Sequence, residues 1–360
     1  MRLGWTVCVL VALVARGEGA VRAGVLGPGG RVHLSTSATP PVLGADELAR
    51  RAARRARAHR SGPDRGLAAP ATSTELVHGP RLLDACTTST FRVLRDDDLR
   101  SVVPAADTAE IGEPCALRAE RDLFAVGNWY AAVSTDGGAS YRHVDPATAF
   151  PAADNGFCCD QSVIYEPTRR LFVWELMYSP SASGNRLRLA IAHGAAAFEA
   201  GDWQWFDLTP QDLGVLSGHW LDYPQLALGT AFLYVSVNVF RTSDDTFTDA
   251  AVVRIPLDDL AAGGRPSFSV FRVADHFTLT PVQGAHDVMY FAAQESGSYA
   301  THVYRWPENT SAVSETSVPV RSYANTGMIC PGPDGRDWCK RSDDRIMTGW
   351  VAGGVVGFMW

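Results

Sequence analysis

The chain has 360 residues, 46% of them hydrophobic, and 33 glycines, enough to bury a large core joined by many turns. A formal net charge of −7 argues against nucleic acid as a partner, because a phosphate-binding surface carries a basic excess. Of the 32 basic residues only Lys340 is lysine, which reflects a coding bias toward arginine rather than a functional signal.

Arg2 precedes an apolar run over 3–14, and small residues follow at Gly17, Gly19, Ala20 and Ala23, the layout of a secretory signal peptide over 1–23. The run is short of the ~20 residues that span a bilayer, so no stable membrane span is expected after signal removal. Residues 24–74 are rich in Ala, Arg and Pro and read as a disordered linker or propeptide without a packed core. Residues 47–60 within it would form a basic helix if ordered. The pairs Arg50-Arg51 and Arg54-Arg55 offer cleavage sites, the basic face could tether to an anionic surface, and a solvated linker is the plainest reading.

From Glu113 onward one strand pattern recurs. First strands open at Glu113, Asp160, Asp222, Pro281 and Asp343, spacings of 47, 62, 59 and 62 residues by subtraction. Apolar second strands follow over 123–126, 171–177, 232–239, 288–293 and 355–360, rich in the β-branched and aromatic residues of sheets packed on both faces. Third strands are expected over 130–134, 186–192, 250–255 and 301–306, with outer fourth strands over 141–144, 203–206, 268–273 and 316–320. A four-stranded unit cannot bury both faces alone, so the pattern predicts an all-β fold, a β-propeller over 75–360. Five blades are recognisable, with six or seven in the complete ring. The fifth stops after its second strand, and the apolar end at Trp360 must be covered, either by 75–103 or by blades of a longer protein.

Ser134, Asp136, Gly138, Ser140 and Tyr141 match the pattern Ser/Thr-x-Asp-x-Gly-x-Ser/Thr-aromatic. This stretch resembles the Asp box (BNR repeat) of the sialidase superfamily. The resemblance implies a structural turn between third and fourth strands, its Asp bonding backbone amides and its aromatic ring packed into the blade, far from the axis.

Residues that open inner strands of a propeller crowd around one channel mouth. Here they are Glu113, Asp160, Asp222, Asp343 and Asp344, joined by His219, Tyr223 and His286. Crowded carboxylates raise one another's pKa and suit acid–base work or a hard cation such as calcium. The plain alternative is that each acid caps the turn into its own strand. Asp160, Asp222, Tyr223 and Asp344 are the candidate catalytic residues, with Glu113, His219, His286, Arg341 and Arg345 as ligand-binding candidates. Sialidases use an arginine trio, a Tyr-Glu nucleophilic pair, an Asp acid and a Phe-Arg-Ile-Pro motif. The nearest stretch, Phe91-Arg92-Val93-Leu94, lacks the Pro, and no Tyr-Glu pair is identifiable by spacing.

With Cys8 removed, six cysteines remain, an even number suited to an oxidising compartment. Cys330 with Cys339 is the expected local pair and Cys86 with Cys115 a clip onto the first repeat. Cys158 and Cys159 form a vicinal bridge or pair separately. The expectation is a secreted or cell-surface propeller engaging a carbohydrate, glycoprotein or other extracellular ligand at an acidic axial pocket. A glycoside hydrolase or polysaccharide lyase and a non-catalytic, calcium-dependent binding module both stay open.

Overall fold

The computed structural model describes residues 16–19, 21–39, 44–58, 99, 102–104, 107, 113–294, 299–320, 337 and 345–360. The chain opens with β1 (Arg16–Gly19), β2 (Val21–Val25), β3 (Gly30–His33) and helix α1 (Ala45–Ala58). Four antiparallel sheets then follow in propeller arrangement. Blade 1 is β4 (Cys115–Ala119), β5 (Asp122–Gly127), β6 (Tyr130–Ser134) and β7 (Arg142–Val144). Blade 2 runs β8 (Phe157–Glu166), β9 (Leu171–Tyr178), β10 (Leu187–His193), α2 (Gly194–Ala200) and β11 (Asp202–Leu208). Blade 3 runs β12 (His219–Leu228), β13 (Phe232–Arg241), β14 (Phe247–Pro256), α3 (Leu257–Ala262) and β15 (Ser267–Val273). Blade 4 holds β16 (Thr280–Gln283), β17 (Val288–Gln294), β18 (Ala300–Pro307) and β19 (Val313–Pro319), and the hairpin β20 (Thr348–Ala352) and β21 (Val355–Met359) completes the described strands.

The propeller expectation therefore holds, and its second, third and fourth strands fall where the repeat placed them. Among the described residues the sheets number four. The fifth repeat does not build its own blade: β20 pairs parallel with β16 and extends the sheet of blade 4. Its first described strand begins at Thr348, and Gly353 and Gly354, both at positive φ, close a two-residue hairpin between Ala352 and Val355.

The segment read as signal and linker contributes strands. β1 pairs with β19 of blade 4, β2 with β15 of blade 3 and β3 with β11 of blade 2, and Ser37 bridges His143 of blade 1. This leader is a belt laid along the outer edge of each blade in turn. Glycine makes the close approach possible: a Cβ on Gly24 would sit 2.5 Å from the Phe268 ring, and one on Gly30 3.0 Å from Trp205. α1 is docked rather than solvated. Its Arg51 is 4% exposed, contacts Asp107, and donates to Glu47 at 2.8 Å and Asp145 at 2.8 Å.

The second strand of blade 2, β9, is buried along its whole length, as its largely apolar sequence requires. Blades interlock through aromatic edges, Phe124 with Trp174 at 5.0 Å and Tyr234 with Trp306 at 6.1 Å. At the inner ends a buried amide joins blade 1 to blade 2, blade 2 to blade 3, and blade 3 to the connection that leads into blade 4. Gln161 donates to the Gly127 carbonyl at 2.6 Å and the Tyr130 carbonyl at 3.1 Å. Asn185 accepts from the Leu221 amide at 2.7 Å and donates to the carbonyls of Leu221 and Tyr178, both at 2.9 Å. Asn238 accepts from the Thr278 amide at 2.9 Å and donates to its hydroxyl at 2.8 Å.

Asn185→Ala strands the buried Leu221 N–H and should cost about 1–3 kcal/mol in urea unfolding. A change below about 0.5 kcal/mol, the level of an ordinary surface substitution, would show that the latch carries no weight.

Candidate functional site

Two inner strands carry extra residues where the candidate acids lie. From Phe157 to Gln161 β8 takes four steps while β9 takes two, from Tyr178 to Leu176. From Asp222 to Gln225 β12 takes three steps while β13 takes two, from Asn238 to Ser236. Such bulges re-aim side chains out of the ladder and cluster at barrel rims and active sites. The first contains Asp160 beside a vicinal disulfide of Cys158 and Cys159, one of the two arrangements expected for that pair. The second contains Tyr223 at φ +53°. Pro224 pushes the residue before it toward extended conformations, so the surrounding fold holds Tyr223 left-handed against its local preference.

Burial raises the Asp160 carboxyl well above the usual carboxylate range, and the negative charges of Glu113 and Asp222 raise it further while Arg345 opposes. Asp222 is pushed up to about 7, first by burial, although the Tyr223 backbone N–H bonded to it favours the ionised form. Glu113 and Asp245 add to the rise and Arg345 again opposes it. The Arg345 guanidinium lies 4.6 Å from the centroid of the Tyr223 ring and 5.8 Å from that of Phe277. Glu113 is exposed at φ +33°. Five expected residues, Glu113, Asp160, Asp222, Tyr223 and Arg345, thus form one electrostatic group.

A sixth was missed. Glu175 on β9 is 0% exposed, neither of its oxygens has a hydrogen-bond partner, and burial with the charge of Asp160 holds its carboxyl strongly protonated. Its signal was readable as the one acid in an otherwise apolar eight-residue strand.

His219 starts β12, and its ring lies against the Leu216 carbonyl at 3.1 Å. His286 does not join the mouth. Its carbonyl accepts from the Thr230 amide at 3.2 Å beside the β12–β13 turn, because β16 has already carried the chain to the far end of the channel. Arg341, Asp343, Asp344, Cys86, Cys330, Cys339 and the 91–94 stretch lie outside the described residues. Cys115 carries a free thiol, and the partner expected for it, Cys86, lies outside the described residues. Its Sγ packs on Val163 of β8, 3.4 Å from both the amide nitrogen and the carbonyl oxygen, and burial raises its pKa.

The Ser134–Tyr141 turn joins β6 to β7, as the motif implied. Asp136 accepts from the Ser134 hydroxyl at 2.8 Å, the Ser140 amide at 2.9 Å and the Ser140 hydroxyl at 2.6 Å, and the Gly138 amide donates to Ser134 at 2.9 Å. These bonds, the Ser140 hydroxyl first, hold the Asp136 carboxyl well below its usual range.

Three ligand-type side chains converge within 4.8 Å among the described residues at His276, His302 and Glu315, on blade 4. The described carboxylates of the mouth do not reach that spacing. A cleft of about 750 Å³ lies at the outer rim of blades 2 and 3, lined by Arg31, His33, His193 and Trp203 among others. It shares no residue with the mouth. No helix among the described residues is long and apolar enough to cross a membrane.

No protein-family model matches the chain, and no curated protein matches it. Among solved structures the chain is similar to PorZ, an essential surface component of the type-IX secretion system of Porphyromonas gingivalis. The identity is 10% over 57% of this chain and 45% of that one, with a TM-score of 0.12. The chain thus spans less than half the length of that structure, and a likeness at this level assigns neither family nor function.

The Asp222 pKa has a consequence for stability. The folded value of about 7 exceeds the unfolded value of about 3.9, so the native state binds the proton more tightly. That contribution is complete below pH about 4 and is lost as pH rises through about 7. Asp222→Asn should therefore stabilise the protein by about 1–3 kcal/mol at pH 8 and change it little near pH 4, measured by thermal melting. An equal change at both pH values would contradict the assignment.

Proposed function

We propose that this chain is an exported ligand-binding β-propeller that engages a carbohydrate at its acidic mouth. The observation that carries the reading is the delivery of Asp160 and Asp222, by two separate strand bulges, beside Arg345, Tyr223 and Glu113. Carboxyls that hold protons at neutral pH donate as well as accept, which matches sugar hydroxyls. Arg345 adds a site for a substrate carboxylate. The Arg2 and apolar 3–14 run, with the vicinal disulfide, supports export. Cleavage before Val21 would remove β1 from the edge of blade 4 and retain the blade 3 strand β2, whereas cleavage after Ala23 would remove β1 and cut β2 as well.

A glycoside hydrolase or lyase is the second reading. Neighbouring carboxyls with raised pKa values let one act as acid while another acts as base. Sialidase-type chemistry rests on the Ser134–Tyr141 resemblance and the cationic Arg345. A calcium-dependent, non-catalytic glycan- or glycoprotein-binding module is the remaining form of the first reading.

The purified chain, incubated with sialylated, neutral and uronic-acid glycans with and without calcium, should bind one class. Asp160→Asn and Arg345→Ala should weaken that binding at least about tenfold, since a hydrogen bond to a charged group is worth about 1.5–3 kcal/mol. A product found by mass spectrometry and lost in Asp160→Asn would establish the enzyme. Folded protein that binds none of the three classes would sink the carbohydrate reading.

A further inference from the structure

We propose that His276, His302 and Glu315 form a binding site for a divalent first-row transition metal, with zinc the expected ion, on the mouth-side rim of blade 4. His276 lies in the 274–279 connection from blade 3, His302 on β18 and Glu315 on β19. The site shares no residue with the acidic mouth and stands apart from the carbohydrate reading.

The three ligand atoms lie within 4.8 Å of one another. Zinc binds His nitrogen and carboxylate oxygen at about 2.0–2.2 Å, which places tetrahedral donors about 3.4 Å apart, so side-chain rotations of about an ångström bring these three together. The two imidazole rings stack with centroids 3.8 Å apart. Two imidazoles beside a carboxylate are a donor set that zinc selects.

Hydrogen bonds already orient the donors. His302 Nδ1 lies 2.8 Å from Glu315 Oε1, and His276 Nδ1 contacts the Tyr304 hydroxyl. Tyr304 is 2% exposed. The Tyr304 contact orients the His276 ring, the usual role of a partner to a metal-bound histidine. Phe271 and Phe291 pack against Tyr304 at 5.4 Å and 5.3 Å and hold the phenol in place. The side chains of His302 and Glu315 are 15% and 25% exposed, desolvated enough to favour ligation and open enough for an ion to enter. A bound ion would pin the 274–279 connection, which carries Phe277 and the latched Thr278, to the outer strands of blade 4.

The test titrates chelator-stripped full-length protein with Co²⁺ and then Zn²⁺. The site predicts one equivalent of Co²⁺ with the visible absorption of low coordination number, displaced by Zn²⁺, and a melting temperature that rises with Zn²⁺. His276→Ala and His302→Ala should each weaken Co²⁺ binding at least about tenfold. Glu315→Gln, which keeps shape and hydrogen bonding, carries the same expectation should a histidine variant fail to fold. Asp160→Asn should leave Co²⁺ affinity unchanged. Absence of the absorption in the parent protein, or equal affinity in parent and Glu315→Gln, overturns the proposal.

Discussion

Four small sheets have eight edges, and every edge presents backbone N–H and C=O groups that need partners. The structure answers this constraint differently on its two sides. On the outside, the leader supplies backbone pairing to blades 4, 3 and 2 and a single bridge to blade 1. On the inside, where strands converge and cannot pair with one another, Gln161, Asn185 and Asn238 reach across to neighbouring backbone groups. Blade 4 closes its inner edge with β20 and donates from Gln283 back to the Leu226 carbonyl of blade 3 at 2.8 Å. A side-chain amide offers both donor and acceptor, which is why it serves where a strand cannot.

The mouth follows from this arrangement. Once the inner strands are locked in place, the bulges in β8 and β12 aim Asp160 and Asp222 into one partly desolvated space. The surrounding fold sustains the left-handed Tyr223, whose ring then receives Arg345. Arg345 in turn comes from the segment leading into β20 and is fixed there because Thr280 donates to the Ile346 carbonyl at 2.6 Å. Among the described residues one guanidinium, that of Arg345, faces several carboxyls, so this described group is electrostatically under-compensated, and protons make up the difference.

The blades were legible because their strands alternate or run apolar at near-constant spacing, a pattern that burial enforces residue by residue. The mouth was legible for the same reason, since position along an inner strand fixes which residues approach the axis. His286 was misplaced because its repeat has a short inner strand that ends before it. The belt was not legible. Val21–Val25 and Gly30–His33 are short and glycine-bearing, and they pair through backbone with little side-chain signature. α1 looked solvated because its anchor, Asp145, lies 94 residues from Arg51. Glu175 was hidden inside an apolar run, and the His276, His302 and Glu315 cluster exists only because register sets β18 beside β19, with Tyr304 opposite Glu315.

The central claim is that the mouth carboxyls are held protonated near neutral pH by burial and by one another. Carbon-13 NMR of side-chain carboxyls, assigned by comparison with Asp222→Asn and Glu175→Gln, tests it directly. The account predicts a resonance from Asp222 titrating near pH 7 and one from Glu175 that remains protonated there. Mouth carboxyls all ionised by pH about 5, as ordinary exposed acids are, would contradict it.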